Sequence, residues 1–185
     1  MTSLKRTKLR QCTNCLCVIN GVWEWVEECA REAADEEPAM RGILDDVCLS
    51  RNSLATSISA RLARKLSRRD MPRELIEPLI REALADEESI LSQIAHDLIA
   101  IVDRDPACRT PLEPLLFYKG FHAITTYRIS HWLWKHGRTI MALQFQSLAS
   151  EVFAVDIHPA AVIGCGILLD HATSCLLYTS DAADE

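Results

Sequence analysis

The stretch V-D-I-H-P-A-A-V-I-G-C-G-I-L-L-D-H-A-T, residues 155–173, decides how the chain is read. Ile157, Ile163 and Leu169 recur every six residues, and Ala161, Ile167 and Thr173 follow each of them four positions later. Three hexads in register are the sequence signature of a parallel β-helix, in which each hexad forms one flat face and its leading aliphatic side chain points inward. Gly164 and Gly166 suit the tight corners between faces. Three hexads make about one triangular coil, whereas a solenoid needs about three repeats or more to bury its face. On this spacing residue 174 is expected directly above Asp156, with His171 half a face short of it.

After Ser174 the hexad rule fails. Cys175 fills an inward position only weakly, and Leu176, Leu177, Tyr178, Thr179 and Ser180 lead into Asp181, Ala182, Ala183, Asp184 and Glu185. Reverse-translated, CLLYTSDAADE can be written as a transposon-end sequencing adapter. Residues 175–185 are therefore expected to be an artefactual tail and the coil truncated, the other reading being a natural acidic tail. Without the three tail acids the charge count becomes 20 minus 23, or −3, instead of −6.

Working back from the hexads, the composition bounds the rest. The 185 residues are 49% hydrophobic and 25% charged, which excludes wholesale disorder, and the net charge of −6 excludes nucleic-acid binding driven by charge alone. Apolar runs reach about five residues, as in Leu98 to Val102, far short of the roughly 20 that span a bilayer. Lys5, Arg6, Lys8 and Arg10 precede a stretch broken by Gln11, Thr13 and Asn14, so no secretory apolar region follows them. A cytoplasmic protein with eight free thiols is expected. Cys12, Cys15 and Cys17 form C-x-x-C-x-C, but no nearby His or fourth Cys completes a tetrahedral zinc set, so residues 1–21 are read as a poorly ordered leader and no metal is assigned. Cys29 and Cys48 read as small core residues.

Residues 22–150 carry a helical pattern throughout. Ile90, Leu91, Ile94, Ala95, Leu98, Ile99 and Val102 form one apolar stripe with Ser92, Gln93 and Asp97 opposite, and Asp105-Pro106 should end that helix. Pro72 marks a helix start, and Pro78 is expected to kink or divide the helix that follows. Residues 103–114 read as a loop, 115–136 as a helix stopped by Gly137, and 139–149 as another, before β-type composition from Val152 to Val155. The fold class is thus α+β: an all-α N-terminal domain followed, over 151–174, by the first coil of a parallel β-helix.

The segments F-Y-K-G-F-H-A (117–123), Y-R-I-S-H-W-L-W (127–134), R-D-P-A (104–107) and the hexads themselves resemble serine O-acetyltransferase of bacterial cysteine biosynthesis, over roughly residues 22–174. The resemblance implies that the β-helix is left-handed. It also implies acetyl transfer from acetyl-CoA, a co-substrate rather than a bound cofactor, to the hydroxyl of L-serine. A serine hydroxyl needs a base near neutral pH. By motif position the base is His171, oriented by Asp156 as in a hydrolase triad, while Asp105 and Asp170 match the acids that pair with the substrate ammonium group. His158 is left as structural. Trp132, Trp134 and His131 read as helix packing.

Family members assemble as hexamers, dimers of trimers, and dock O-acetylserine sulfhydrylase through a C-terminal tail that this sequence lacks. The residues that hold CoA also fall beyond it, so the chain as written is expected to be inactive and to form a dimer or an aggregate. Three other readings stand beside this one: another β-helix O-acyltransferase, a β-helical zinc enzyme using His158 and His171, and a non-catalytic helical assembly module. Without the family match, Asp105 before Pro106 reads as an ordinary turn residue, and His171 and Asp170 as solvated side chains.

Overall fold

The computed structural model describes residues 14–170 and the backbone of a strand at Cys175–Leu177. Among the described residues there are eight α-helices: α1 Cys15–Glu36, α2 Arg41–Leu44, α3 Leu54–Leu66, α4 Arg73–Asp86, α5 Glu88–Arg104, α6 Leu112–Phe117, α7 Lys119–Lys135 and α8 Thr139–Phe153. Two short strands follow, β1 Val155–Ile157 and β2 Cys175–Leu177.

Local chemistry explains most of the boundaries. The Asn14 side chain accepts from the Cys17 amide at 3.3 Å and caps α1, and Ser53 does the same for α3 through the Thr56 amide at 3.3 Å. Helix α5 ends at Arg104, ahead of Asp105-Pro106, and Gly137 follows α7 with φ of +71°, both as the sequence predicts.

Helix α7 is the centre of the fold. Every residue from Gly120 to Ser130 is buried, so these three turns of the helix have no solvent face and their polar groups must be paired inside. Thr125 and Thr126 donate to the carbonyls four residues back, each at 2.7 Å, and Ser130 donates to the Ala142 carbonyl of α8 at 2.8 Å. His122 Nε2 donates to the Leu115 carbonyl at 2.8 Å. Burial pushes this imidazole down to about 3, so it stays neutral.

Several expectations need correction. The segment expected to be a leader, 1–21, already contains the first turns of α1 from Cys15, because Val18 and Ile19 are buried against the core. Residues 1–13 lie outside the described residues. Pro78 does not divide α4, since Pro78 and Glu74 both lie on the exposed face and water can take the carbonyl that the missing N–H leaves free. Residues 103–114 are not all loop: α5 runs to Arg104 and α6 begins at Leu112. The helix expected over 115–136 is broken at Tyr118 into α6 and α7. Helix α8 runs four residues past 149, through Val152 and Phe153, before Ala154 turns the chain in a left-handed conformation with φ of 57°. Asp97 does not face solvent opposite the apolar stripe; it is fully buried, for a reason given below.

The β architecture is seen only in its first step. β1 and β2 pair in parallel with Asp156 beside Leu176, a separation of 20 residues where three hexads give 18. The described residues between them, 158–170, contain turns and bends but no strand, so no ladder fixes a six-residue register there. β2 comes from the stretch expected to be foreign, and parallel pairing needs only backbone groups, which any non-proline sequence supplies. Ile157 and Ala161 are buried, but Ile163, Ile167 and Leu169 are only partly so.

Candidate functional site

Asp156 is the middle residue of β1. Val155 and Ile157 point into the core, so the alternation of a strand turns Asp156 the other way, into a half-buried position. Its Oδ1 accepts from Gln146 Nε2 of α8 at 2.6 Å, beside an open cleft lined by Leu143, Ser147, Ser150 and Glu151.

Asp105 follows α5 directly, and its Oδ1 accepts from the Ala107 amide at 2.8 Å, which is an Asx turn. The turn reading and the binding reading are therefore compatible, because one oxygen holds the loop and the carboxylate stays on its surface. The Tyr118 hydroxyl reaches Asp105 and Cys108. Burial raises this phenol well above its ordinary value, and the neighbouring Cys108 and Asp105 charges add to that. The Cys108 thiol is pushed up to about 11, by burial first and by Glu113 second. Both groups are thus protonated at neutral pH, so they bring no negative charge to Asp105.

Asp170 is exposed, at the end of a segment stitched to the helices on either side of that loop. Arg104 Nη1 donates to the Gly166 carbonyl at 2.8 Å. Gly120 lies so close to Leu169 that a Cβ there would stand 1.9 Å from the Leu169 carbonyl oxygen, which is why only glycine fits. Asp105 and Asp170 thus sit on neighbouring segments, each one residue from such a contact or turn. Asp156 belongs to the α8 side. His171 lies outside the described residues.

His158 is engaged in its own turn: Nδ1 accepts from the Ala160 amide at 3.1 Å, and the ring stands edge-on to Trp134 at 5.2 Å. Trp132 Nε1 donates to Asp86 at 2.9 Å, and His131 Nδ1 donates to the Pro159 carbonyl at 2.7 Å, so these side chains of Y-R-I-S-H-W-L-W pack and pin. Cys15 and Cys17 are exposed, Cys12 lies outside the described residues, and no group of three or more potential metal ligands occurs among the described residues.

Sequence reasoning missed an ion pair. Arg128 of α7 donates through Nε and Nη2 to Asp97 Oδ2 at 3.0 and 2.7 Å, through Nη1 to Gln93 at 2.7 Å, and again through Nη2 to the Gly164 carbonyl at 2.8 Å. Asp97 Oδ1 accepts from the Ile167 amide at 2.8 Å. Burial pushes the Asp97 carboxyl up from the usual range, and Arg128 and the Ile167 amide pull against it. The available signal was a single arginine, Arg128, in a stretch from 120 to 134 with no other Lys, Arg, Asp or Glu, where a guanidinium drawn into the core must find acceptors on neighbouring elements.

Residues 22–126 match the family described as "Serine acetyltransferase, N-terminal". The chain is 42% identical over 156 residues to the serine acetyltransferase of Escherichia coli K12, covering 84% of this chain and 57% of that protein. It is 44% identical to the probable serine acetyltransferase 4 of Oryza sativa, covering 50% of it. The chain therefore spans 50 to 57% of the length of these relatives. A solved serine acetyltransferase in complex with CoA superposes with a TM-score of 0.83 at 41% identity, covering 85% of this chain and 66% of that one. The soybean enzyme complexed with serine superposes at 0.82 with 42% identity, covering 84% and 64%.

Proposed function

The chain belongs to the serine acetyltransferase family, and from that premise we propose that it serves acetyl transfer from acetyl-CoA to the hydroxyl of L-serine, giving O-acetylserine and CoA. The observation that carries this is the match across 84% of the chain at 42% identity, together with the family model over residues 22–126. Solved relatives hold serine, the acceptor substrate, and CoA, the thiol product that shares all but the acetyl group with the donor.

In this reading Asp105 and Asp170 bind the serine ammonium group from two adjacent segments. His171 takes the hydroxyl proton as the serine oxygen attacks the thioester carbonyl. The tetrahedral adduct then expels CoA, whose sulfur receives the proton from His171, and Asp156 orients and stabilises the imidazolium. Gln146 holds one Asp156 oxygen and leaves the other for the imidazole.

The segment from Val155 is the start of a left-handed β-helix, continued by coils that complete the CoA groove. The assembly is a dimer of trimers in the cytoplasm, with a sulfhydrylase partner bound by a C-terminal tail. Among the described residues no helix is long and apolar enough to cross a membrane. Residues 175–185 are read as translated adapter, and amplifying the gene across that point from source DNA tests this: recovery of the same eleven codons would overturn it.

The function is tested on the product of the uninterrupted gene. Serine-dependent release of the CoA thiol is expected, together with loss of nearly all of it in His171→Ala. Parental rates of O-acetylserine formation in that variant would reject the assignment.

A further inference from the structure

The segment 162–170 has neither helix nor strand, and its backbone is tied by side chains: Gly164 O to Arg128, Gly166 O to Arg104 and Ile167 N to Asp97. We propose that Asp97 and Arg128 are a positioning pair, which fixes the backbone of 164–167 and thereby aims Asp170, three residues on, at the substrate ammonium group. This rests on the role given to Asp170 above.

The donors and acceptors are divided between the two tasks. Asp97 Oδ2 takes two Arg128 N–H groups, leaving Oδ1 for the Ile167 amide. Arg128 Nη2 carries two hydrogens and gives one to Asp97 and one to Gly164 O. Each residue therefore bonds both across the helix pair and to the segment, Arg128 with a further bond to Gln93. Their side chains are 0% and 2% exposed. A buried ion pair gives no stability advantage over a well-packed apolar pair, so stability alone does not account for it. A lysine in place of Arg128 keeps the charge facing Asp97 but cannot also reach Gly164 with a planar fork.

The test is amide hydrogen exchange of the 185-residue chain and its Arg128→Lys variant, read by NMR. The parent should protect the Ile167 amide about a hundredfold over an unstructured peptide, and the variant should exchange amides 164–168 about tenfold faster while α5 and α7 stay within about twofold. Equal exchange at 164–168 in both proteins overturns the proposal, as does equal acceleration across α5 and α7. If the variant does not fold, the parent decides: an unprotected Ile167 amide overturns it and a protected one supports it. In the uninterrupted enzyme the variant should raise the KM for serine about tenfold and leave the KM for acetyl-CoA within about twofold. An unchanged serine KM with faster exchange overturns the aiming of Asp170. A parental enzyme without serine-dependent activity instead rejects the functional reading and leaves the exchange result standing.

Discussion

Between Cys15 and Phe153 most backbone hydrogen bonds close within helices, whereas between His158 and Asp170 the chain has neither helix nor strand and takes its partners from helical side chains. The first region buries large side chains such as Phe121 and Phe145 in a closed core. The second leaves Ile163, Ile167 and Leu169 half covered. The difference teaches that the helical domain is the template on which the site segment is laid, so damage to the template and damage to the segment should separate in experiment.

The largest expected effect comes from the point where the two regions meet. Arg128→Met leaves the Asp97 carboxylate buried without its partner and should cost about 3–5 kcal/mol of unfolding free energy in urea titration. A loss under about 1 kcal/mol would show that the pair is dispensable to the template.

Acid comes next. The folded-state value of His122, about 3, lies below the ordinary 6.5, so the stability of the neutral ring is complete above about pH 6.5 and drains away as pH falls toward 3. The loss should reach about 3 kcal/mol near pH 4.5, and His122→Gln should flatten that slope. The lowered Asp46 carboxyl, held by Arg73, acts in the same direction, but only as pH falls below the ordinary carboxylate value. A parent whose stability is flat from about pH 6.5 to 4.5 would contradict the buried neutral imidazole.

Gly120→Ala should act on the segment through its backbone. The new Cβ collides with the Leu169 carbonyl, so a displacement of 166–170 costing about 1–3 kcal/mol is expected, with faster amide exchange there and unchanged exchange in α3 and α4. Exchange that rises equally everywhere would break the proposed separation. The smallest change is a gain: Ala154 adopts φ of 57°, and Ala154→Gly should add about 0.5–1 kcal/mol at the hinge between the two regions. A loss there would mean that the left-handed turn is not the strained element.

The helical half was largely legible in the sequence, because 3.6-residue periodicity and proline punctuation are local signals: α5 stops before Asp105-Pro106 as read. Misreadings came where tertiary context overrode them. Exposure let Pro78 sit inside α4, and burial drew Asp97 from the polar side of α5 into the core. The site acids Asp105, Asp156 and Asp170 were named from motif position. The Asp105 turn onto the Ala107 amide was legible as a local Asx signal, but the bonds of Asp156 to Gln146 and of Asp105 to Tyr118, and the Gly120 contact beside Leu169, could not be read from spacing, because they join residues on different elements.

By itself the sequence determined the helical domain, the switch of period after Val155 and the family to which the motifs belong, since period and residue type are properties of neighbours along the chain. Only the tertiary structure decided the break at Tyr118, the 20-residue step from β1 to β2 and the clamp of Asp97 and Arg128 on Gly164 and Ile167. Such contacts arise when distant groups are buried together and must satisfy one another's charges and hydrogen bonds, a demand that exists only once the chain has folded.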